Sequence, residues 1–297
     1  MAPGFPEQAW QVLVALRPKH WIKNLFLFSP LLFSGHFRAA QDIFVTAWGF
    51  AIFCLAASSV YLFNDILDLE RDRATQGNRD RPIAAGKIRV GTAAFMAIAL
   101  QLLAWVLAFF LELKFLGLVI LYALNNVLYS LLLKHRVIID VISIAIGFIL
   151  RILAGAALIH VEVSHWLIVC TFNVSLLLGF GKRRAELQEA RQLRPVNEIY
   201  TEAKLDHMMS VSAAVTLFSY MLYSVAPETT ARFGSSDLIY TVPFVVYGIF
   251  RYVAKIQEGK YRDPVQMIYA DKVFLLNIFL WMGSVMVVLV RAYPPAF

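Results

Sequence analysis

The chain has 297 residues, 60% of them hydrophobic and only 16% charged, with a formal net charge of +7. That balance exceeds what a soluble domain of this length carries and points to a polytopic membrane protein. A basic excess suits nucleic acid in general, but its distribution along this chain speaks against that partner. Both cysteines, Cys54 and Cys170, lie in apolar runs and offer no disulfide framework.

No cleavable signal is expected, since the first sixteen residues carry no Lys or Arg and the next apolar run is interrupted by charge. Nine apolar stretches follow, near 22–36, 43–64, 91–111, 115–133, 138–159, 165–181, 208–226, 237–254 and 273–291. Each approaches the roughly 20 residues that span a bilayer as a helix. The first is the weakest, broken by Lys23, Asn24 and Pro30. Long polar connections follow the second, sixth and eighth stretches. The N-terminal side and the even-numbered connections hold 22 Lys and Arg, the opposite side holds four, and Arg151 is left inside a span. The positive-inside rule then puts the N-terminus and the long loops in the cytoplasm and the C-terminus outside. This asymmetry explains most of the net charge. With no internal repeat, low-complexity segment or linker, residues 1–297 read as one membrane-embedded, all-α domain of nine transmembrane helices.

The second stretch runs out into Asn64, Asp65, Asp68, Glu70, Arg71, Asp72 and Arg73. At about 100° per residue, Asp65, Asp68 and Asp72 fall on one helical face within roughly 60° of one another. Carboxylates that close repel each other near hydrocarbon unless a hard cation such as Mg²⁺ gathers them. Arg71, Arg73, Arg79 and Arg81 follow closely, and a guanidinium fork matches phosphate oxygens bidentately. A solvated loop of mixed salt bridges would explain the arginines one at a time, but it makes the spacing of the aspartates an accident.

After the sixth stretch come Lys182, Arg183 and Arg184, with Glu186 one turn beyond Lys182. Positive-inside anchoring explains three cations there, and a second anion-binding lobe facing the aspartate loop is the functional alternative. Lys134, His135 and Arg136 close the fourth stretch. Arg151 lies well inside the fifth, where an arginine is costly and faces a polar cavity or an ion partner. Asp140 is eleven residues away, about 16 Å along a helix, so it can serve only through another element. Arg17, Lys19, His20, Lys23 and Asn24 stand at the cytoplasmic start of the first stretch; Lys19 is equally explained by snorkelling. Arg251, Arg262 and Asp271 read as gate or supporting residues, and Asp271 also suits the positive end of the last helix. The six histidines show no zinc spacing or pairing for haem, and no Walker-type glycine loop is present.

Asn64, Asp65, Asp68 and Asp72, placed between the second and third of nine spans, resemble the first aspartate motif of the UbiA-type intramembrane prenyltransferase superfamily. The resemblance covers the whole chain. It implies a bundle of nine helices around a polar cavity open to the cytoplasm, Mg²⁺ between the aspartates and a diphosphate, and a lateral opening for a lipid chain. Typical members carry a second Asp-rich motif after the sixth span, where this chain reads Gly181-Lys182-Arg183-Arg184-Ala185-Glu186. That basic run, with Arg17 to Asn24, Asn78 to Gly86 and Leu150 to Gly155, is similar to the decaprenyl-phosphate phosphoribosyltransferase branch.

Membership of that branch implies transfer of phosphoribose from 5-phosphoribosyl 1-diphosphate to a polyprenyl monophosphate at the plasma (inner) membrane, for cell-wall arabinan precursors. On that resemblance Asp65, Asp68 and Asp72 are the metal and catalytic residues. Asn64, Arg79, Arg81, Lys182, Arg183, Arg184 and Glu186 take the donor, and Lys23, Asn24, Lys134, Arg136 and Arg151 take the acceptor phosphate. Two rivals stand beside it: a prenyltransferase using prenyl diphosphate and an aromatic acceptor, and a lipid or solute transporter. Exposed helical faces leave room for a homo-oligomer.

Overall fold

Apolar segments in a bilayer have no water for their backbone N–H and C=O groups, so each span satisfies them within itself as a helix. The computed structural model describes residues 5–75, 77–191, 200–261 and 263–293, and these contain helices and turns but no strand. Among them, eight helices are long and apolar enough to cross a membrane: Ala40–Leu67, Val90–Leu111, Leu113–Leu131, Ile139–Leu158, His165–Leu187, Glu202–Val225, Asp237–Gln257 and Lys272–Ala292. They coincide with the second to ninth predicted stretches.

The first stretch differs. Instead of one α-helix over 22–36, the chain forms a 3-10 helix, Pro18–Phe28, followed by a single α turn, Ser29–Phe33. Arg17 turns into the left-handed region (φ 54) before it, and Pro18 and Pro30 each stand at the start of a segment, where a missing N–H costs nothing. The tighter winding is fixed from outside. The Leu27 carbonyl lies against Gly155, where any Cβ would collide with it.

The described chain forms two compact units. One runs from the N-terminal part to His135 and takes in Leu150–Glu162; the other comprises Arg136–Ile149 and the chain from Val163 on. The Ile139–Leu158 helix therefore gives its first half to one unit and its second half to the other.

In the first unit the core gathers Leu27, Phe53, Ala56, Ala57, Phe115, Val119 and Ala154. Its Val90–Leu111 helix buries only Ala93, Ala97, Ala104 and Ala108 and turns Phe95, Phe109 and Phe110 outward. Small side chains let helix backbones approach closely where lipid removes any hydrophobic gain from burying large ones. The second unit packs Val141, Leu177, Leu205, Met209, Tyr252, Ile256 and Met267. There Gly181 leaves room for the Tyr252 ring, whose hydroxyl donates to the Leu178 carbonyl at 3.3 Å.

Asp271 caps the last helix, accepting from the Val273 and Phe274 amides at 3.1 and 3.0 Å and from Arg251 Nη2 at 2.9 Å. Burial alone would raise its pKa, but the Arg251 bond and the two amides outweigh burial and hold the carboxyl below its ordinary value of 3.8. A carboxylate depressed in the folded state contributes stability above its unfolded pKa and loses it as pH falls. Asp271→Ala is therefore expected to lower stability by about 1 kcal/mol at neutral pH. The deficit against the parent should shrink as melts are repeated below about pH 4.

Candidate functional site

In the first unit, the Ala40–Leu67 helix carries Asp65 on its last turn, and the backbone breaks at Asp68 (φ −93, ψ 10) before the short helix Leu69–Ala74 restarts. Asp65 and Asp72 are buried, at 3% and 2% exposure, and converge on a single nitrogen. Arg81 Nη1 donates to Asp65 Oδ1 at 3.3 Å and to Asp72 Oδ2 at 2.6 Å. Asn78 adds a bond to Asp72 at 2.9 Å, and Arg17 pairs closely with Asp65 while lying over the Tyr61 ring. Asp68 goes elsewhere, accepting from Lys134 Nζ at 2.7 Å. The three aspartates thus do not share one partner, although i→i+4 backbone bonds run from Asp68 back to Asn64 and from Asp72 back to Asp68. Among the described residues no group of three or more His, Cys, Asp and Glu is arranged to hold a metal ion. Asn64 is held by the Ser130 hydroxyl, and Arg79 is exposed in the turn that follows.

Deeper in the same unit Arg151 is 4% exposed. Its Nε donates to Asn24 Oδ1 at 2.8 Å and its Nη2 to the Tyr122 hydroxyl at 3.0 Å. The guanidinium carbon lies 4.6 Å from the Tyr122 ring centroid and 5.5 Å from that of Phe53. Asn24 in turn donates to Cys54 Sγ at 3.2 Å. A neutral and aromatic lining of this kind takes the place of water around the cation. It also anchors the Pro18–Phe28 segment, on which Lys23 is half-buried.

The second unit holds the other basic cluster. Arg183 Nε donates to Asp140 Oδ2 at 2.6 Å and its Nη1 to Glu186 Oε2 at 2.5 Å, while Lys182 Nζ lies 3.7 Å from Glu186. Arg184 is 5% exposed and reaches Glu202 and Asp206, both at 3.0 Å, which ties the His165–Arg191 helix to Glu202–Val225. Arg136 is exposed at the turn before Ile139–Leu158. Arg251 pairs with Asp271, and Arg262 lies outside the described residues.

Residues 26–283 match the UbiA prenyltransferase family. The chain belongs to that family. It is 30% identical, over 92% of its own length and 91% of the relative's, to a protein of Mycolicibacterium smegmatis named decaprenyl-phosphate phosphoribosyltransferase. It is 32% identical to a protein of the same name from Corynebacterium glutamicum, over 91% of this chain and 84% of the relative. The fold resembles that of a UbiA homolog from Archaeoglobus fulgidus bound to GPP and Mg²⁺, with a TM-score of 0.68, 16% identity and coverage of 96% and 100% of the two chains.

Two buried carboxylates set about one point are a donor set that suits a hard divalent cation. Hard cations take carboxylate oxygens, and Asp65 and Asp72 already converge on one positive point, Arg81 Nη1. The membership of the acidic cluster was legible in sequence; the roles of Arg17, Asn78, Ser130 and Tyr122 as partners were not. Their partners lie 48, 6, 66 and 29 residues away, and only the Asn78 pair sits within one motif.

Proposed function

We propose that this protein transfers the 5-phosphoribosyl group of 5-phosphoribosyl 1-diphosphate to a polyprenyl monophosphate, decaprenyl phosphate in the first instance, and releases pyrophosphate. The observation that carries the reading is identity near 30% along about nine-tenths of the chain to two proteins of that named activity. The buried Asp65–Arg81–Asp72 arrangement supports a diphosphate site independently.

Asp65 and Asp72 would hold Mg²⁺, with Asp68 joining on release from Lys134. When bound, the cation supplies charge neutralisation for the departing pyrophosphate. Arg81 and Arg17, freed from the carboxylates, turn their forks to diphosphate oxygens, and Arg79 adds a third guanidinium from the exposed turn. Asn64, aimed by Ser130, orients the ribose or a diphosphate oxygen. Lys182 and Arg183 bind the 5-phosphate, with Glu186 ordering them. Arg184 supports that cluster by fastening its helix to the next. Lys23 and Lys134 meet the acceptor phosphate, whereas Asn24 and Arg151 bond one another and act by holding the Lys23 segment. Arg136 is a further cation for an incoming phosphate. The acceptor phosphate is already ionised at neutral pH, so no strong general base is required. Attack at C1 opposite the leaving group converts an α donor to a β product.

The bilayer placement follows from the charge asymmetry: N-terminus and acidic cluster cytoplasmic, C-terminus outside, in the plasma membrane. Eleven 3-10 residues rise about 22 Å and five α residues about 7.5 Å, so Pro18–Phe33 reaches roughly the 30 Å of a hydrocarbon core and serves as a ninth crossing. The product would serve cell-wall arabinan synthesis.

Purified protein in detergent or lipid, supplied with decaprenyl phosphate and labelled 5-phosphoribosyl 1-diphosphate, should move label into the lipid phase with Mg²⁺ and not with EDTA. Label transfer from a prenyl diphosphate to an aromatic acceptor instead would overturn the assignment.

A further inference from the structure

The Tyr200 hydroxyl joins the turn at Ile138 to the buried Asp140 in the second unit. It accepts from the Ile138 backbone N–H at 2.7 Å and donates to Asp140 Oδ1 at 3.0 Å. Both of its hydrogen-bonding directions are thereby used. Ile138 has φ 71, a left-handed conformation that a β-branched residue rarely adopts. Strain of that kind persists only where surrounding contacts enforce it. The Tyr200 hydroxyl is one such contact, and it acts on the residue whose carbonyl receives the Ile142 amide, at the first turn of Ile139–Leu158.

Asp140 is 2% exposed and divides its two oxygens, Oδ1 to Tyr200 and Oδ2 to Arg183. Its carboxylate plane, and with it the direction in which the Arg183 fork points, is therefore set from the Tyr200 side. Burial raises the Tyr200 pKa to about 12, with the Asp140 charge adding to the rise. The hydroxyl accordingly keeps its proton, and keeps donating, at every physiological pH.

We infer that Tyr200 is a positioning residue for anion binding: through Asp140 it aims Arg183, and through Ile138 it fixes the helix start that bears Asp140. This rests on the reading of Lys182 and Arg183 as a phosphate site. Phosphate affinity, rather than the rate of the chemical step, is what the hydroxyl controls. Loss of a hydroxyl bonded to a charged group is expected to cost about tenfold in affinity, or about 1.4 kcal/mol.

The test compares full-length protein with Tyr200→Phe, Asp140→Asn and the double variant. Ribose 5-phosphate is the binding probe, read by thermal shift, and donor KM and kcat are measured alongside. Tyr200→Phe should weaken ribose 5-phosphate binding about tenfold and raise donor KM similarly, with kcat within about twofold. The double variant should bind no worse than the weaker single variant, because both act through one chain of bonds. Additive losses, unchanged ribose 5-phosphate binding, or a fall in kcat with KM unaltered would each overturn the inference.

If Tyr200→Phe does not fold, Ile138→Gly removes the left-handed penalty, and the same comparison is made between Ile138→Gly and Ile138→Gly/Tyr200→Phe. The binding arm is decisive even if the wild-type protein transfers no phosphoribose, so failure of the functional reading and failure of this inference are separable.

Discussion

Asp65→Asn is expected to lower phosphoribosyl transfer by about 10³-fold or more while the protein remains folded. Asp65 is the carboxylate with most at stake: it is 3% exposed and meets both Arg17 and Arg81. An amide cannot take a hard cation as a carboxylate does, and it leaves two guanidinia facing a neutral group. Losing the stabilisation of charge on a departing diphosphate is worth about 4 kcal/mol, which corresponds to about 10³ in rate. Turnover measured across a Mg²⁺ titration, beside a thermal melt, separates the cases. Full activity in a folded variant would remove Asp65 from the mechanism; loss of both activity and fold would make it structural.

The second large effect is expected at Arg151→Met. Methionine fills much of the volume but leaves the Asn24 carbonyl and the Tyr122 hydroxyl without their donor. Two bonds from a charged donor, at about 1.5–3 kcal/mol each, put the loss at about 3 kcal/mol or more. The damage should concentrate on Pro18–Phe28, whose Leu27 backbone packs on Gly155 one turn beyond Arg151. Amide exchange at Leu25 to Leu27 should accelerate well beyond that in the core of the Ala40–Leu67 helix. Arg151→Lys keeps the charge without the planar fork and should fall between. Uniform acceleration throughout the first unit would instead mean that Arg151 holds the whole core rather than one segment.

Eight of the spans were legible because hydropathy and length suffice to define a helix surrounded by lipid. The Pro18–Phe28 winding was not. Lys23, Asn24 and Pro30 mark an interrupted stretch without specifying its winding, and the segment is held by partners remote in sequence, such as Arg151, 127 residues from Asn24. The acidic motif was legible as a set of residues, since spacing is local information. Its partners were not, because Asp68 pairs with Lys134, 66 residues further along. The basic run at Lys182 to Arg184 signalled anions, yet Arg184 serves Glu202 and Asp206, and Tyr200 carried no signal at all. A lone tyrosine in a loop becomes informative only when Asp140, 60 residues before it, is seen beneath its hydroxyl.

The acidic cluster carries three carboxylates, Asp65, Asp68 and Asp72, and three cations bonded to them, Arg17, Arg81 and Lys134. It is electroneutral as it stands. A bare dication entering it would create two uncompensated positive charges among buried groups, a costly state in a medium that solvates charge poorly. The same dication already complexed to a diphosphate brings its own counter-charge and gives each displaced guanidinium a new anion. On the proposed reading, a dication and the donor diphosphate would therefore enter this site as one species, with Arg17, Arg81 and Lys134 passing to the incoming anion.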